Sequence, residues 1–337
     1  MQSSDARDLR ADLAAYQRPS HRRSIFEILV TVLPLMACWA AAFASVKHGW
    51  WPGLAFTVPA AALLVRLFMI QHDCGHHAFF RGPEANTWVG RVAGVLTMTP
   101  YDYWRRTHAI HHATSGNLDR RGLGGIETLT VEEYRALPWL KRLGYRLYRH
   151  PIVMFALGPS YMFILQHRLP IGMMKEGWAW RSVLGNNLGL ALLITPLVLL
   201  GGPAAFLMVH VPVMVIAASI GVWLFYIQHQ FEGVQWARNP QWTAHDAALL
   251  GSSHLVMPAP LRWLTANIGA HHVHHSGSKI PFYRLPQVLR EQAVFTQARR
   301  VGLLESVTAV RLSLWDEAAG RLVSFREAHA SRRLQAA

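Results

Sequence analysis

The sequence predicts an all-α integral membrane protein: four transmembrane helices in two hairpins, with interfacial helices and a cytoplasmic histidine-rich region, forming one membrane-embedded unit over residues 1–337. Three observations predict it. Apolar residues make up 52% of the chain and charged residues 15%, which is lean in charge for a soluble fold. Four apolar stretches reach the roughly 20 residues needed to cross a hydrocarbon core about 30 Å thick. The Lys and Arg residues lie mainly outside these stretches, and ten of the 19 histidines fall in three short segments.

The four stretches are 25–44, 51–70, 183–200 and 204–227. Only residues around 47–50 connect the first two and 201–203 the last two, so each pair reads as a helical hairpin and both tips face one side of the membrane. Before residue 25 there are five Lys/Arg, in 101–181 twelve and after 227 twelve more, whereas the tips carry only Lys47. The positive-inside tendency puts the termini and the middle region in the cytoplasm, as regions 1–24, 71–182 and 228–337. The net charge of +14 is therefore a topology signal before it is a nucleic-acid signal. Asp5, Arg7, Asp8, Arg10 and Asp12 stand where a cleaved leader needs an apolar core, so the first span is expected to stay in the mature chain.

Two shorter apolar stretches, 88–98 and 151–166, are interrupted by Arg91, Pro159 and Gln166 and read as interfacial or re-entrant helices. The tail from Arg299 mixes Leu, Val and Trp315 with charges at helical spacing, which predicts a helix on the cytoplasmic region or on the lipid surface. With Cys38 in a span and Cys74 in a histidine segment, no disulfide framework is implied.

The three histidine segments are HDCGHH (72–77), HAIHH (108–112) and HHVHH (271–275), and the topology sets all of them on one face of the membrane. His72 and His76 are spaced i,i+4; His108, His111 and His112 are spaced i,i+3,i+4, as are His271, His274 and His275, so each set lies on one helix face. Neutral imidazole ligates Fe, Cu, Ni and Zn, and eight imidazoles exceed what one four-coordinate zinc uses. Two metal ions are the economical reading. His229, where the fourth span emerges, is a ninth candidate beside the plainer role of a polar helix cap. His77 and His272 break the pattern and read as packing residues or partners of the ligands. Acids that orient ligand N–H groups would be Asp73, Asp102, Asp119, Glu232 or Asp246, and Phe79, Phe80, Trp104 and Trp263 adjoin the segments where an apolar substrate would lie.

These segments and their flanks, WRRTHAIHHATSGNLDRRG running on to TLTVEEY and RWLTANIGAHHVHH running on to KIPFYRLP, resemble the membrane fatty acid desaturase superfamily with its three histidine boxes. The likeness is greatest to the bacterial acyl-lipid group that includes delta-12 (omega-6) desaturases, and it covers roughly residues 20–300. It implies two irons held by the eight box histidines, with His229 where related desaturases supply a further one. It also implies O2 as cosubstrate, a lipid acyl chain as substrate, and a bacterial inner-membrane location. His77 continuing the first box and Ser276 following the third depart from the group's usual pattern. No GxGxxG or fused electron-transfer segment is present, so a separate carrier, ferredoxin or cytochrome b5-like, with its reductase is expected to bring electrons. A related diiron hydroxylase or ketolase acting on alkane, carotenoid or lipid is the nearest alternative. A membrane metal-binding or transport protein fits less well, because the clusters share one side and only His210 lies within a span. HExxH is absent, which argues against a zinc protease.

Overall fold

The computed structural model describes residues 8–9 and 11–335; most of the charged N-terminal stretch used in the leader argument lies outside the described residues. Among the described residues, four helices are long and apolar enough to cross a membrane, with mean hydropathy between 1.9 and 2.2. They are α1 (His21–Lys47), α2 (Thr57–Gly75, entered by the turn Trp51–Phe56), α5 (Gly177–Gly201) and α6 (Pro203–His229). Between them come α3 (Pro83–Leu96) and α4 (Tyr101–Thr114), and after them the short α7 (His271–Ser276).

Each span runs past the apolar stretch that predicted it at the end nearer the histidines. A helix of 27 residues rises about 40 Å, enough for the hydrocarbon core and part of both headgroup layers. The added turns are polar, and they carry His72 and His229 to the boundary where the apolar stretches end.

The two hairpin tips meet, as charge counting and loop length require. Lys47 Nζ donates to the Leu200 carbonyl (3.2 Å), one of the orphan acceptors at the end of α5. At Gly201 a Cβ would sit 1.8 Å from the Phe43 ring, so only glycine lets α5 end against α1. Helix α2 is the central span, packed against α1, α3 and α6; 61% of its apolar window is buried against 17% in α5, whose flank faces outward.

Helix α4 is fixed to the end of α2 by two bonds to terminal carbonyls: the Tyr101 hydroxyl donates to Cys74 O (2.8 Å) and Arg105 Nε to Gly75 O (3.1 Å). The approach to α7 is set from the other side. Gln228 Nε2 donates to Ile268 O (3.2 Å), and Leu255 N–H to Gly269 O (2.9 Å). A Cβ at Gly269 would meet Leu255 O at 2.5 Å, which explains the glycine of TANIGA.

Residues 151–166 are helical in two pieces, Val153–Leu157 and Gly158–Ile164, with Pro159 opening the second. The tail differs from the single helix that its spacing predicts. Strand Arg300–Val301 pairs with His254–Leu255, helix Leu303–Thr308 follows, and Leu314–Asp316 pairs antiparallel with Arg321–Val323 before helix Phe325–Gln335. The hairpin is covered on both faces, since Leu314 and Val323 pack with Val131 and Tyr134 while Trp315 and Leu322 on the other face join the main core, and Gly320 takes the left-handed turn position (φ +61°).

Candidate metal centre

Nine of the histidines converge from four helices. His72 lies on the last turn of α2 and His76 caps its end, after which the positive φ of His77 (+54°) turns the chain away. Helix α4 supplies His108, His111 and His112, α6 ends on His229, and α7 supplies His271, His274 and His275. Within the described residues they form two groups: His72, His76, His108, His112 and His274, and His111, His229, His271 and His275, each offering one ligand atom within 4.8 Å of the others. The i,i+4 pairs 108/112 and 271/275 each stay in one group, while the intervening His111 and His274 cross to the other. Helices α4 and α7 thus serve both groups.

The contacts are between Nε2 atoms: His76 to His108 3.0 Å, His108 to His112 3.1 Å and His112 to His274 3.0 Å in the first group, His111 to His229 3.1 Å and His229 to His271 3.0 Å in the second. A neutral Nε2 either carries a proton or bears a lone pair, so hydrogen bonding alone does not satisfy several of them turned to one point. His275 Nε2 is buried and has no hydrogen-bond partner among the described residues. Burial, and then the neighbouring imidazoles, hold His76, His108, His111, His112, His271, His274 and His275 well below the usual histidine range, hence neutral. Buried bare nitrogens converging without a carboxylate among them suit a transition-metal cation.

The surroundings fix some of the rings. His229 Nδ1 lies 3.1 Å from the Gly251 carbonyl and 3.2 Å from Ser115 Oγ; donation to the carbonyl leaves Nε2 bare. Asp73 is 3.3 Å from His72 Nδ1, and its other oxygen accepts from Phe282 N–H (2.7 Å). Trp104 stacks on His108 at 4.7 Å and 12°, and Phe225 lies 4.8 Å from the His111 ring. A cavity of about 50 Å3 reaches the second group past Ser115, Asn117, Arg121 and Phe225. Ser115, Gly251 and Phe225 escaped the sequence reading; Phe225, four residues before His229 on one helix, carried the clearest signal.

Of the five candidate acids, three are engaged elsewhere and a fourth is turned to solvent. Asp102 pairs with Arg91 (2.9 Å), Asp119 with Arg238 (2.6 Å) and Asn239 N–H, Asp246 caps Ala244–Leu249 with Thr243, and Glu232 is exposed. Of the four aromatic candidates, Trp104 stacks on His108 of the first group. Phe79 and Phe80 pack on each other and are held by Asn86, whose Oδ1 accepts both their N–H groups, while Trp263 lies over Arg66 at 4.1 Å.

His77 and His272 stand outside both groups. His77 is half-buried beside Arg18 and Arg81, whereas His272 is buried against His254 and Phe295 with Nδ1 3.4 Å from Ser253 O. His77→Ala and His272→Ala are each expected to keep the metal content of the unaltered protein, and His272→Ala alone to lose about 1–3 kcal/mol of stability. Metal analysis beside thermal unfolding checks this, and metal loss in either variant puts that residue among the ligands.

A family model described as fatty acid desaturase matches residues 48–303. The chain is similar to a fatty acid desaturase of Bacillus subtilis (strain 168), 40% identical over 323 residues that cover 95% of this chain and 91% of that one. Two Synechocystis proteins are more distant: an sn-1 acyl-lipid omega-3 desaturase (ferredoxin), 25% identical over 72% of this chain and 68% of its own, and an sn-1 oleoyl-lipid 12-desaturase, 24% identical over 76% and 72%.

Proposed function

This chain belongs to the fatty acid desaturase family, and from that premise we propose that its two histidine groups hold two irons for O2-dependent desaturation of a membrane lipid's acyl chain. The protein is a membrane oxidoreductase that introduces a double bond into a fatty acyl chain. The observation that carries the finer reading is the meeting of nine imidazoles, in groups of five and four, where two apolar spans end. Five donors exceed the four of a structural zinc site, and imidazole suits iron.

When bound, the irons supply the oxidising power by which O2 goes to water and two adjacent methylenes each lose a hydrogen, with two electrons and two protons entering from outside. The chain's own residues bind and orient. Gly251 and Asp73 hold His229 and His72 with Nε2 free, and Trp104 and Phe225 cover His108 and His111 against water. The acyl chain arrives from the bilayer, since the apolar stretches of α2 and α6 end two residues before His72 and His229. A separate carrier, ferredoxin or cytochrome b5-like, brings the electrons. The net charge of +14 favours an acidic one, and one Synechocystis relative has ferredoxin in its name.

The charge distribution favours a cytoplasmic histidine face, the bacterial relatives favour an inner membrane, and the chain acts as one membrane-embedded unit, its apolar core running from Leu9 to Leu322.

Expression in a host of simple lipid profile, with fatty acid analysis, tests the reaction. An acyl chain lighter by two hydrogens, formed only with O2, is expected; a product that gains oxygen instead would replace desaturation by hydroxylation. His229→Gln tests the ligand set. Metal content and turnover should fall together, the affinity by at least about tenfold, whereas full metal with full turnover leaves His229 a structural residue.

A further inference from the structure

The helix Trp139–Tyr148 follows the second histidine segment, between α4 and α5, and stands outside both metal groups. At 100° per residue, Trp139, Leu143, Leu147 and Leu140 fall within an arc of about 100°. They are 66, 47, 54 and 61% exposed. Opposite that arc, Tyr145 is buried and its hydroxyl donates to Ser313 O (2.7 Å), so the apolar stripe points directly away from the protein. Lys141 and Arg142 stand on either side of the stripe, with Lys141 exposed. A helix with its buried side polar-anchored and its outward side apolar is inverted relative to a soluble surface helix, and such a face marks an interaction site.

What covers it follows from continuity. Beyond the helix, exposed Ile152, Leu157 and Tyr161 extend the apolar surface along the segment 153–164, which packs against α6, one of the candidate spans. A tryptophan at one end and cations flanking the stripe match the headgroup layer, where aromatic rings and Lys/Arg concentrate. We propose that Trp139–Tyr148 lies flat in the lipid interface on the histidine side, with Trp139, Leu140, Leu143 and Leu147 at the headgroup–acyl boundary and Lys141 and Arg142 against anionic headgroups. Arg149, immediately after the helix, is buried and donates to Tyr226 Oη and Gln230 Oε1 (both 3.2 Å), residues flanking His229. The lipid contact is thereby joined by one residue to the end of α6, which gives His229 to the second histidine group.

The test uses the full chain with Cys38→Ser, reconstituted in phosphatidylcholine vesicles containing phosphatidylglycerol. An environment-sensitive fluorophore is attached at Leu143→Cys and, separately, at Leu147→Cys. Leu192→Cys on the outer flank of α5 and Ala319→Cys in the tail hairpin serve as lipid and water references. Both test positions should be quenched several-fold more by brominated acyl chains than by aqueous iodide, as at Leu192→Cys, and Lys141→Glu/Arg142→Glu should reduce the lipid quenching. Iodide quenching like that at Ala319→Cys overturns the proposal. So does protection from both quenchers, which would mean a second copy or another protein on this face. Lipid quenching unchanged by the charge reversal removes the anionic headgroups from it.

Discussion

His112→Ala is expected to abolish turnover and to empty both histidine groups, although only one of them loses a candidate ligand. In the first group the His112 Nε2 meets those of His108 and His274 at 3.1 and 3.0 Å, the middle of a chain of contacts. Its ring is also stacked on His275 of the second group, 4.1 Å between centroids and 16° between planes. Removing the imidazole deletes a ligand and frees a neighbour of the other site to rotate. Loss of a group that merely orients a ligand lowers metal affinity by up to about 100-fold, and loss of the ligand itself should exceed that. The fold should survive, because the spans are held by apolar packing away from the histidines. Metal per chain, turnover and chromatographic behaviour of the purified variant check this together. Retained metal with measurable turnover would remove His112 from the site.

The spans were legible because crossing a lipid core imposes a length and an apolarity that few other structures need. The i,i+3,i+4 spacing was legible for a similar reason: a helix face is a local property, and α4 and α7 are helices where the histidines lie. How nine histidines divide into five and four was not legible. That division depends on which helix faces which, and it places His111 apart from His108 and His112 although all three share α4. The acids show the same limit. Asp119 pairs with Arg238, 119 residues away, and nothing in local spacing ranks that partner above a histidine. In the tail, the alternating LSLWD and a turn without Asn-Gly compete with a plausible helical period, and the pairing of Leu314 with Val323 decides between them. Two charged residues carry a signal of their own. Glu27 and Arg66 are charges inside apolar stretches, and charges there are costly enough to demand a partner.

That partner is each other, and Glu27→Leu is expected to be the most destabilising single change outside the histidine groups. Glu27 on α1 and Arg66 on α2 are both 1% exposed and form an ion pair; Arg66 also donates to Thr31 Oγ1 (3.1 Å) and to the Trp263 carbonyl. Removing the carboxylate leaves a buried guanidinium without a counter-charge, at a cost of about 3–5 kcal/mol. Arg66→Met should cost less, since Glu27 keeps Arg23 at 2.7 Å and Arg23 is half exposed to solvent. The double variant Glu27→Leu/Arg66→Met, with two apolar side chains in place of two charges, should recover most of the loss, because well-packed apolar replacements of buried ion pairs are often neutral. Thermal unfolding of the four proteins in one detergent measures the cycle. If the double variant is as unstable as Glu27→Leu, the pair is not what holds these helices. Arg66 then matters through the Trp263 carbonyl at the end of helix Ala259–Leu264, which precedes the third histidine segment.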